Sequence, residues 1–364
     1  MDKIKIGLAG ASWFADLWYV PVLLKHPHVE LSSICSGSGD SARRMAETYG
    51  IPSVYESYDD MFERACLDGV CIVTPNDVHA AIATAAMERG IHVISEKPLA
   101  ATLEEAAAML RTAERTGVVH GLNFTYREHP GVRRMKAMVQ RGEIGRLRSG
   151  HFEYTGDYGV SGPPGWRGSA ARGGIGGVLG DLGSHLIDLA AFATGERLTE
   201  VAADARFAYR DQWPDAAADE VVFLGRHERG ATGTFRTSWL EHQGRNGQTI
   251  RMTLIGDLGK LEFAASHLGA SLSLAKAKQA AVPIDLSSEV GAWNENNVPT
   301  EELFRPWRVT ERNEIWKWID RIRDRKAGGE ATDADAPTFL DGYYVQAVMD
   351  AVMESAERKC WKAV

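Results

Sequence analysis

Cysteine, basic runs and long apolar stretches are all scarce in this chain. Its four cysteines, Cys35, Cys66, Cys71 and Cys360, form no Cys-x-x-Cys pair. Neither a disulfide framework nor a zinc site is indicated, and the apolar surroundings of most of them suit free, buried thiols. Basic residues number 41 against 49 acidic ones, a net charge of -8, with no block of Lys and Arg. That balance reads as ordinary solubility and gives no electrostatic footprint for nucleic acid. No stretch approaches the roughly 18 consecutive apolar residues of a membrane span, so no membrane partner is expected. The opening MDKIKIGLAGASWFA has a charged start and an apolar continuation. Ile4, Ile6 and Leu8 nevertheless alternate as in a strand and no small-residue cleavage site follows, so the segment is read as a first strand of a cytoplasmic protein.

Glycine, by contrast, is plentiful: 37 of 364 residues, where about 7% is usual. The length predicts two domains at roughly 100 to 200 residues each. From residue 1 to 124, the apolar runs IKIGLAG, ELSSIC, GVCIVTP, HVISEK and VVHGLNF alternate with helical spacing over 41–50, 58–66, 77–90 and 102–116. This is the pattern of an α/β domain with a doubly wound parallel sheet of Rossmann type. Thr102 with Glu105 predicts a capping box and Gly117 a helix end. Residues 125–364 read differently. A helix near 130–141 and a strand at 146–156 precede a long loop rich in Gly, Pro and Trp, and a helix follows at 178–194. Successive strands at 200–210, 219–225, 230–240, 248–256 and 259–264, without intervening helices, predict a mainly antiparallel sheet and an α+β domain. Residues 265–298 are weakly patterned, and 308–325 and 338–358 look helical; the last helix is expected to pack back on the first domain.

Ligands of open parallel sheets bind outside the carboxyl ends of the strands. There the first strand runs into Gly10-Ala11-Ser12-Trp13-Phe14-Ala15. Against the G-x-G-x-x-G/A dinucleotide turn, Gly10 permits the tight turn, Ala15 allows close helix packing, and Ser12 replaces the second glycine while keeping a donor for phosphate. The alternative is a tight turn that binds nothing. The second strand ends without a carboxylate: Ser36 stands at the place of the ribose-binding acid, with Arg43 and Arg44 beyond it. This leaves room for a 2′-phosphate and leans towards NADP, although Asp40 could fold back to a ribose. HVISEKPLA ends another strand in Glu96 and Lys97, with Pro98 fixing the backbone. A lysine there is costly unless paired or functional; the plainer reading is a surface side chain. IVTPNDVHAAIA similarly delivers Thr74, Pro75 and Asn76 ahead of a helix bearing His79.

The densest signal is GGIGGVLGDLGSHLIDLA. Asp181, His185 and Asp188 are spaced to lie along one helical face, and a carboxylate one turn from an imidazole can orient a general base. A metal reading would need His151 or His242 as well and lacks a convincing ligand set, so no metal is expected. A structural reading has the helix start capped and His185 buried and hydrogen-bonded. The glycines at 173, 174, 176 and 177 would let backbone approach a ligand.

Taken together, IGLAGASWFA, IVTPNDVHAAIA, EKPLA, GEIGRL, GDLGSHLIDLA and DGYYVQAVMDAVMESAERKCW, in that order, resemble the Gfo/Idh/MocA oxidoreductases over nearly the whole chain. The resemblance implies a Rossmann domain followed by an α/β domain with a large open sheet, often used for homodimer or homotetramer contacts. It implies NAD or NADP as cofactor, with Gly10, Ser12, Trp13 and Phe14 on the cofactor turn. Ser36 and Arg43 would face the adenosine ribose, and Thr74, Pro75, Asn76 and His79 would flank the nicotinamide ribose beside Glu96. It implies Lys97 as the cation at the reacting hydroxyl and Asp181 with His185 as the acid/base pair. Tyr126, Arg127, Tyr154, Asp157, Trp166, Arg167 and Trp239 are candidate contacts for a carbohydrate, because aromatics stack on sugar faces and arginines bind hydroxyls or anions. The expected activity is hydride transfer between a sugar, polyol or sugar-acid carbon and the nicotinamide. Two other readings stay open: an NAD-dependent glycoside hydrolase working by transient oxidation and elimination, and a non-catalytic dinucleotide-binding regulator.

Overall fold

The computed structural model describes residues 3–175, 177–286, 313–329 and 335–364. These group into two compact units. One holds the described chain up to Thr125 and the described residues between Trp307 and Tyr344; the other holds those from Tyr126 to Pro306 and Val345–Val364.

In the first unit, β1 (Ile4–Ala9), β2 (Val29–Cys35), β3 (Ser53–Tyr55), β4 (Gly69–Ile72), β5 (His92–Ser95) and β6 (His120–Leu122) form one parallel sheet in the order β3-β2-β1-β4-β5-β6. The helices α1 (Val20–Lys25), α2 (Gly39–Tyr49), α3 (Tyr58–Arg64), α4 (His79–Glu88) and α5 (Leu103–Thr116) run between them. All four residues of β4 are buried, as a strand covered on both faces requires. The order reverses between β1 and β4, the switch point where such sheets bind ligands. Local signals act as the sequence indicates: Thr102 Oγ1 accepts from Glu105 N at 3.2 Å, Glu105 Oε2 accepts from Thr102 N at 3.2 Å, and Gly117 ends α5 in the left-handed region. Helix α9 (Glu314–Lys326) adds Trp318, whose indole donates to Val119 O at 3.3 Å. Helix α10 (Phe339–Arg358) starts in this unit, where His120 Nδ1 accepts from Phe339 N, and ends in the other.

The second unit contains α6 (Pro130–Gln140), β7 (Leu147–Gly156), α7 (Ala170–Gly173), α8 (Ser184–Thr194), β8 (Leu198–Arg206), β9 (Glu220–His227), β10 (Thr232–Ser238), β11 (Gln248–Gly256), β12 (Gly259–Ser266), β13 (Gly269–Lys276), β14 (Val282–Pro283) and β15 (Lys362–Ala363). Nine strands form one sheet, ordered β14-β13-β12-β11-β7-β10-β9-β8-β15. Every pairing is antiparallel except β7 with β10. Alternation sets the faces: in β9, Val221 and Phe223 are buried whereas Val222 and Leu224 are exposed. Phe223 stacks on Phe235 at 4.4 Å and Phe235 on Phe152 at 4.6 Å, a ladder of rings across three strands. Helix α8 packs on β7, and α6 packs on α8, β12 and β13.

Some expectations need correction. The weakly patterned stretch 265–298 contains β13 and β14, and residues 287–298 lie outside the described residues, as do 308–312 of the helix expected over 308–325. Cys35 and Cys71 are buried free thiols, with burial pushing the Cys35 pKa up to about 12, but Cys66 and Cys360 are exposed. Both exposed thiols follow the ends of helices rather than lying in strands. Among the described residues no helix is long and apolar enough to cross a membrane.

Candidate active site

The glycine turn lies at the switch point. Gly10 has φ +109°, and a Cβ there would come within 2.3 Å of Val73 O on the neighbouring strand end. Its N–H donates to Cys35 O at 2.8 Å, which ties the turn to β2. Ser12 Oγ accepts from Ala15 N at 3.1 Å and so caps the helical turn that leads into α1. Phe14 stacks on Trp18 at 5.7 Å, while Trp13 is 66% exposed. At the end of β2, Ser36 Oγ lies 3.2 Å from Ser41 Oγ and Arg43 pairs with Asp40 at 2.7 Å on the surface. A Cβ on Gly37 would meet nothing within 4 Å. A tight glycine turn, a capped helix start and open space at the end of β2 suit a dinucleotide. Phosphate would be held at 10–14 and the adenosine ribose near Ser36.

The ends of β4 and β5 are joined by a buried histidine. The ring nitrogens of His79 lie 2.9 Å from Thr74 O and 3.0 Å from Pro98 O, next to the cis Lys97–Pro98 peptide. Burial lowers the His79 pKa, outweighing the pull of the two carbonyls. Thr74 and Pro75 are half-buried, whereas Asn76 and His79 are buried. His79 therefore braces this loop from behind, and no edge of its ring is accessible. Glu96 is also buried. Its Oε1 accepts from Tyr19 Oη at 2.7 Å and from Asn123 Nδ2 at 2.6 Å, and its Oε2 accepts from Lys97 N at 3.3 Å. Burial raises the Glu96 pKa, and these donors partly offset the rise. The carboxylate thus fixes the backbone from which half-buried Lys97 extends.

In the second unit, Asp181 lies in a π-helical turn, Leu179–Gly183, that runs directly into α8, and His185 is the second residue of α8. His185 is 6% exposed; its ring meets Tyr126 in a T-shaped contact at 4.8 Å and lies 6.1 Å from Tyr154. The two tyrosine hydroxyls are 2.8 Å apart, and Tyr154 donates its one proton to Gln248 Oε1 at 2.7 Å. Tyr126 must then donate to Tyr154, so the three groups are polarised in one direction. Asp181 Oδ2 accepts from Tyr158 at 2.5 Å and Oδ1 from Arg167 Nε at 3.3 Å; the Arg167 guanidinium lies 4.4 Å over the Trp166 ring. Desolvation and the Asp181 charge both raise the Tyr158 pKa.

The three helix positions thus serve separate partners. Asp188 belongs to Arg127: Nε bonds both carboxylate oxygens at 3.0 and 2.9 Å, Nη2 reaches Oδ1 at 2.5 Å, and both side chains are buried. Trp239 is fully buried and backs Tyr158 at 6.0 Å, so it offers no face to a sugar. Asp157, just beyond β7, is half-buried; burial lowers the His267 pKa and the Asp157 charge partly offsets that. His151, needed for a metal reading, lies on the opposite face of β7 from Tyr154 and contacts Thr234 Oγ1 at 2.6 Å. Glycine at 177 serves packing: with φ +50°, its absent Cβ would come 2.5 Å from Ala217 Cβ. Gly176 lies outside the described residues. Sequence reading missed Tyr158, Gln248, Tyr19 and Asn123. Tyr158 stands four residues after Tyr154, the only local hint; Gln248 and Asn123 are brought in by sheet register and Tyr19 by the helical turn Ala15–Tyr19.

A parallel sheet with a glycine turn at its switch point, followed by a mixed-sheet unit with a helix that carries Asp181 and His185, defines the two-domain nicotinamide-dependent oxidoreductases. Residues 4–124 match the model of an oxidoreductase family with an NAD-binding Rossmann fold, and residues 132–262 match the GFO/IDH/MocA C-terminal domain. The chain belongs to the Gfo/Idh/MocA oxidoreductase family. It is 28% identical to a levoglucosan dehydrogenase of Pseudarthrobacter phenanthrenivorans over 400 aligned positions, covering 99% of this chain and 98% of that one. A levoglucosan dehydrogenase solved in complex with NADH and levoglucosan superposes with a TM-score of 0.83 at 27% identity, with both chains fully covered. An oxidoreductase domain protein from Kribbella flavida gives 0.85 at 27% identity, again over both full lengths.

Proposed function

We propose that this protein is an NAD(P)-dependent dehydrogenase of a sugar, polyol or sugar acid, with His185 as acid/base and Lys97 polarising the reacting oxygen. The observation that carries this reading is the environment of His185: a buried imidazole lies against two tyrosines whose hydroxyls are polarised towards Gln248, and Asp181 is held nearby in sequence by Tyr158 and Arg167. The full-length likeness to levoglucosan dehydrogenase supports a carbohydrate substrate.

The nicotinamide, when bound, supplies the hydride acceptor for oxidation and the donor for reduction. Gly10, Ser12, Trp13 and Phe14 would hold its diphosphate, Ser36 and Arg43 the adenosine ribose, and Thr74, Pro75, Asn76, Glu96 and Lys97 the nicotinamide half, with His79 acting through the carbonyls of Thr74 and Pro98. His185 accepts the proton of the sugar hydroxyl. Lys97 Nζ stabilises negative charge on that oxygen and so favours its deprotonation. Asp181, its orientation set by two donors, accepts a neighbouring sugar hydroxyl. Tyr126 and Tyr154 orient the imidazole, and the Trp166–Arg167 stack offers a flat face to the sugar ring. Arg127 we assign to bracing α8 through Asp188. We assign self-association, as a homodimer or homotetramer, to the outer sheet face. There Val222 and Leu224 are 46% and 41% exposed, and Arg236 is ringed by Glu153, Glu220 and Glu241.

The test is turnover of a panel of free sugars, polyols and sugar acids with NAD and with NADP. Lys97→Ala and His185→Ala should each lower kcat at least about a hundredfold while dinucleotide affinity changes little. Near-normal turnover in both variants would remove the assignment. Release of sugar from aryl glycosides without net reduced cofactor would support the glycosidase reading instead, and dinucleotide binding without any turnover would support a regulator.

A further inference from the structure

A cleft lies in the sheet-bearing unit. The loop after β7 and the segment 207–217 enclose an open cleft of about 560 Å³, lined by Trp213, Asp215, Ser161, Ser169 and the backbone around Gly162 and Pro163. Its walls are fixed. Tyr209 Oη shares its one proton between the carbonyls of Gly159 and Val160, 2.8 and 2.6 Å away, Ala170 N donates to Asp215 O at 2.8 Å, and Ala217 N donates to Gly168 O at 2.9 Å. Asp215 Oδ2 accepts from Ser169 Oγ at 2.5 Å and Oδ1 from Ala171 N at 3.2 Å.

The chemistry of the lining is specific. Trp213 is 46% exposed and meets Tyr209 in a T-shaped contact at 5.8 Å. Among the described residues no lysine or arginine lines the cleft, which gives no counter-charge there for a phosphate or carboxylate. A carboxylate has about four lone-pair sites; Asp215 uses two, leaving two for hydroxyl donors. A flat indole, a carboxylate oriented by Ser169, whose hydroxyl also accepts from Arg172 N at 3.2 Å, and the Ser161 hydroxyl in a cleft of ligand size suit a neutral polyhydroxylated ring, and the hydrogen-bonded walls lower the ordering cost of binding. The turn Gly165–Gly168 connects this cleft to the candidate active site. Gly165 and Gly168 line the cleft, while Arg167 between them reaches Asp181.

We infer that this cleft is a second sugar subsite, in which Trp213 stacks on the ring adjoining the one that reacts and Asp215 accepts its hydroxyls. The preferred substrate is then a disaccharide or glycoside rather than a free monosaccharide. The inference rests on the dehydrogenase reading for the reacting ring, but the cleft can be tested apart from turnover. The first readout is the fluorine resonance of Trp213 in fluorotryptophan-labelled protein, assigned by its loss in Trp213→Phe, on adding cellobiose, maltose or glucose. One disaccharide should shift that resonance, and Asp215→Asn should weaken its binding about tenfold. The second readout is the ratio of kcat/KM for that disaccharide to kcat/KM for glucose, which Trp213→Ala should lower about tenfold and Trp213→Phe should largely retain. A Trp213 resonance unmoved by both disaccharides overturns the subsite, whether or not any sugar is oxidised. An unchanged ratio in Trp213→Ala overturns it too, as does a change of oligomeric state in that variant, which would mean that a second copy fills the cleft. A shifted resonance with no oxidation of any sugar would leave the subsite standing and remove the dehydrogenase reading.

Discussion

Replacing Arg127 with methionine separates a brace from a substrate contact. The guanidinium makes three contacts to Asp188 of 2.5 to 3.0 Å, and the two side chains are 7% and 2% exposed. It also lies 5.2 Å over the Phe192 ring. Arg127→Met keeps most of the stem's packing but leaves the Asp188 charge buried without its guanidinium, which costs about 3 to 5 kcal/mol. For a unit of this size, that lowers the midpoint of its thermal transition by about 10 °C. Asp188→Leu should do the same from the other side. The double variant removes both charges and should recover to within about 2 kcal/mol of the parent, since a buried pair replaced by apolar groups is often nearly neutral. Circular dichroism melts of the four proteins supply the cycle, and kcat/KM for the preferred sugar, measured well below the first transition, supplies the control. If Arg127→Met melts like the parent while KM for the sugar rises tenfold or more, the guanidinium serves the substrate and the bracing role is wrong.

Gly10→Ala places a Cβ 2.3 Å from Val73 O at a φ of +109°. It should destabilise the first unit by roughly 3 kcal/mol and abolish dinucleotide binding, as read by melting and by quenching of protein fluorescence. Ser36→Asp puts a charge at the end of β2 and should weaken NADP at least about tenfold relative to NAD through repulsion of the 2′-phosphate; equal loss of both dinucleotides would place the adenosine ribose elsewhere. Burial lowers the pKa of His92 and His120 to about 4 and of His129 to about 3. The folded state keeps these rings neutral while the unfolded chain protonates them below its ordinary value. Stability is therefore complete above about pH 6.5 and falls as pH drops towards 4, with these three rings contributing at most about 4 kcal/mol per pH unit. Buried Glu96, with its raised pKa, works in the opposite direction. Urea unfolding across that range measures the slope, and a flat profile would contradict burial of the three rings in their neutral form.

The parallel sheet was legible because its strands are short apolar runs closed by turn residues, and because helix signals such as Thr102 and Gly117 are local. β3 was not: three residues at the sheet edge, none of them buried, carry no apolar run. Residues 269–276, GASLSLAK, escaped notice because small residues dilute the alternation that β12 completes across the ladder. In the candidate site, Lys97 and His185 stood out by position in strand and helix. Tyr126 and Tyr154 stood out as aromatics near that helix, but Gln248 did not, because only the pairing of β7 with β11, across almost a hundred residues, brings it to Tyr154. Helical periodicity grouped Asp188 with His185, yet only the fold could reveal that Arg127 claims it.

The most direct test of the account is a single comparison. Purified protein is mixed with NAD or NADP and a panel of mono- and disaccharides, and reduced cofactor is followed for the parent and for His185→Ala. The account predicts reduced cofactor formed one-for-one with oxidised sugar by the parent, and a rate at least about a hundredfold lower in the variant with dinucleotide affinity intact. Equal rates in the two proteins, or sugar released from a glycoside with no net reduced cofactor, would contradict it.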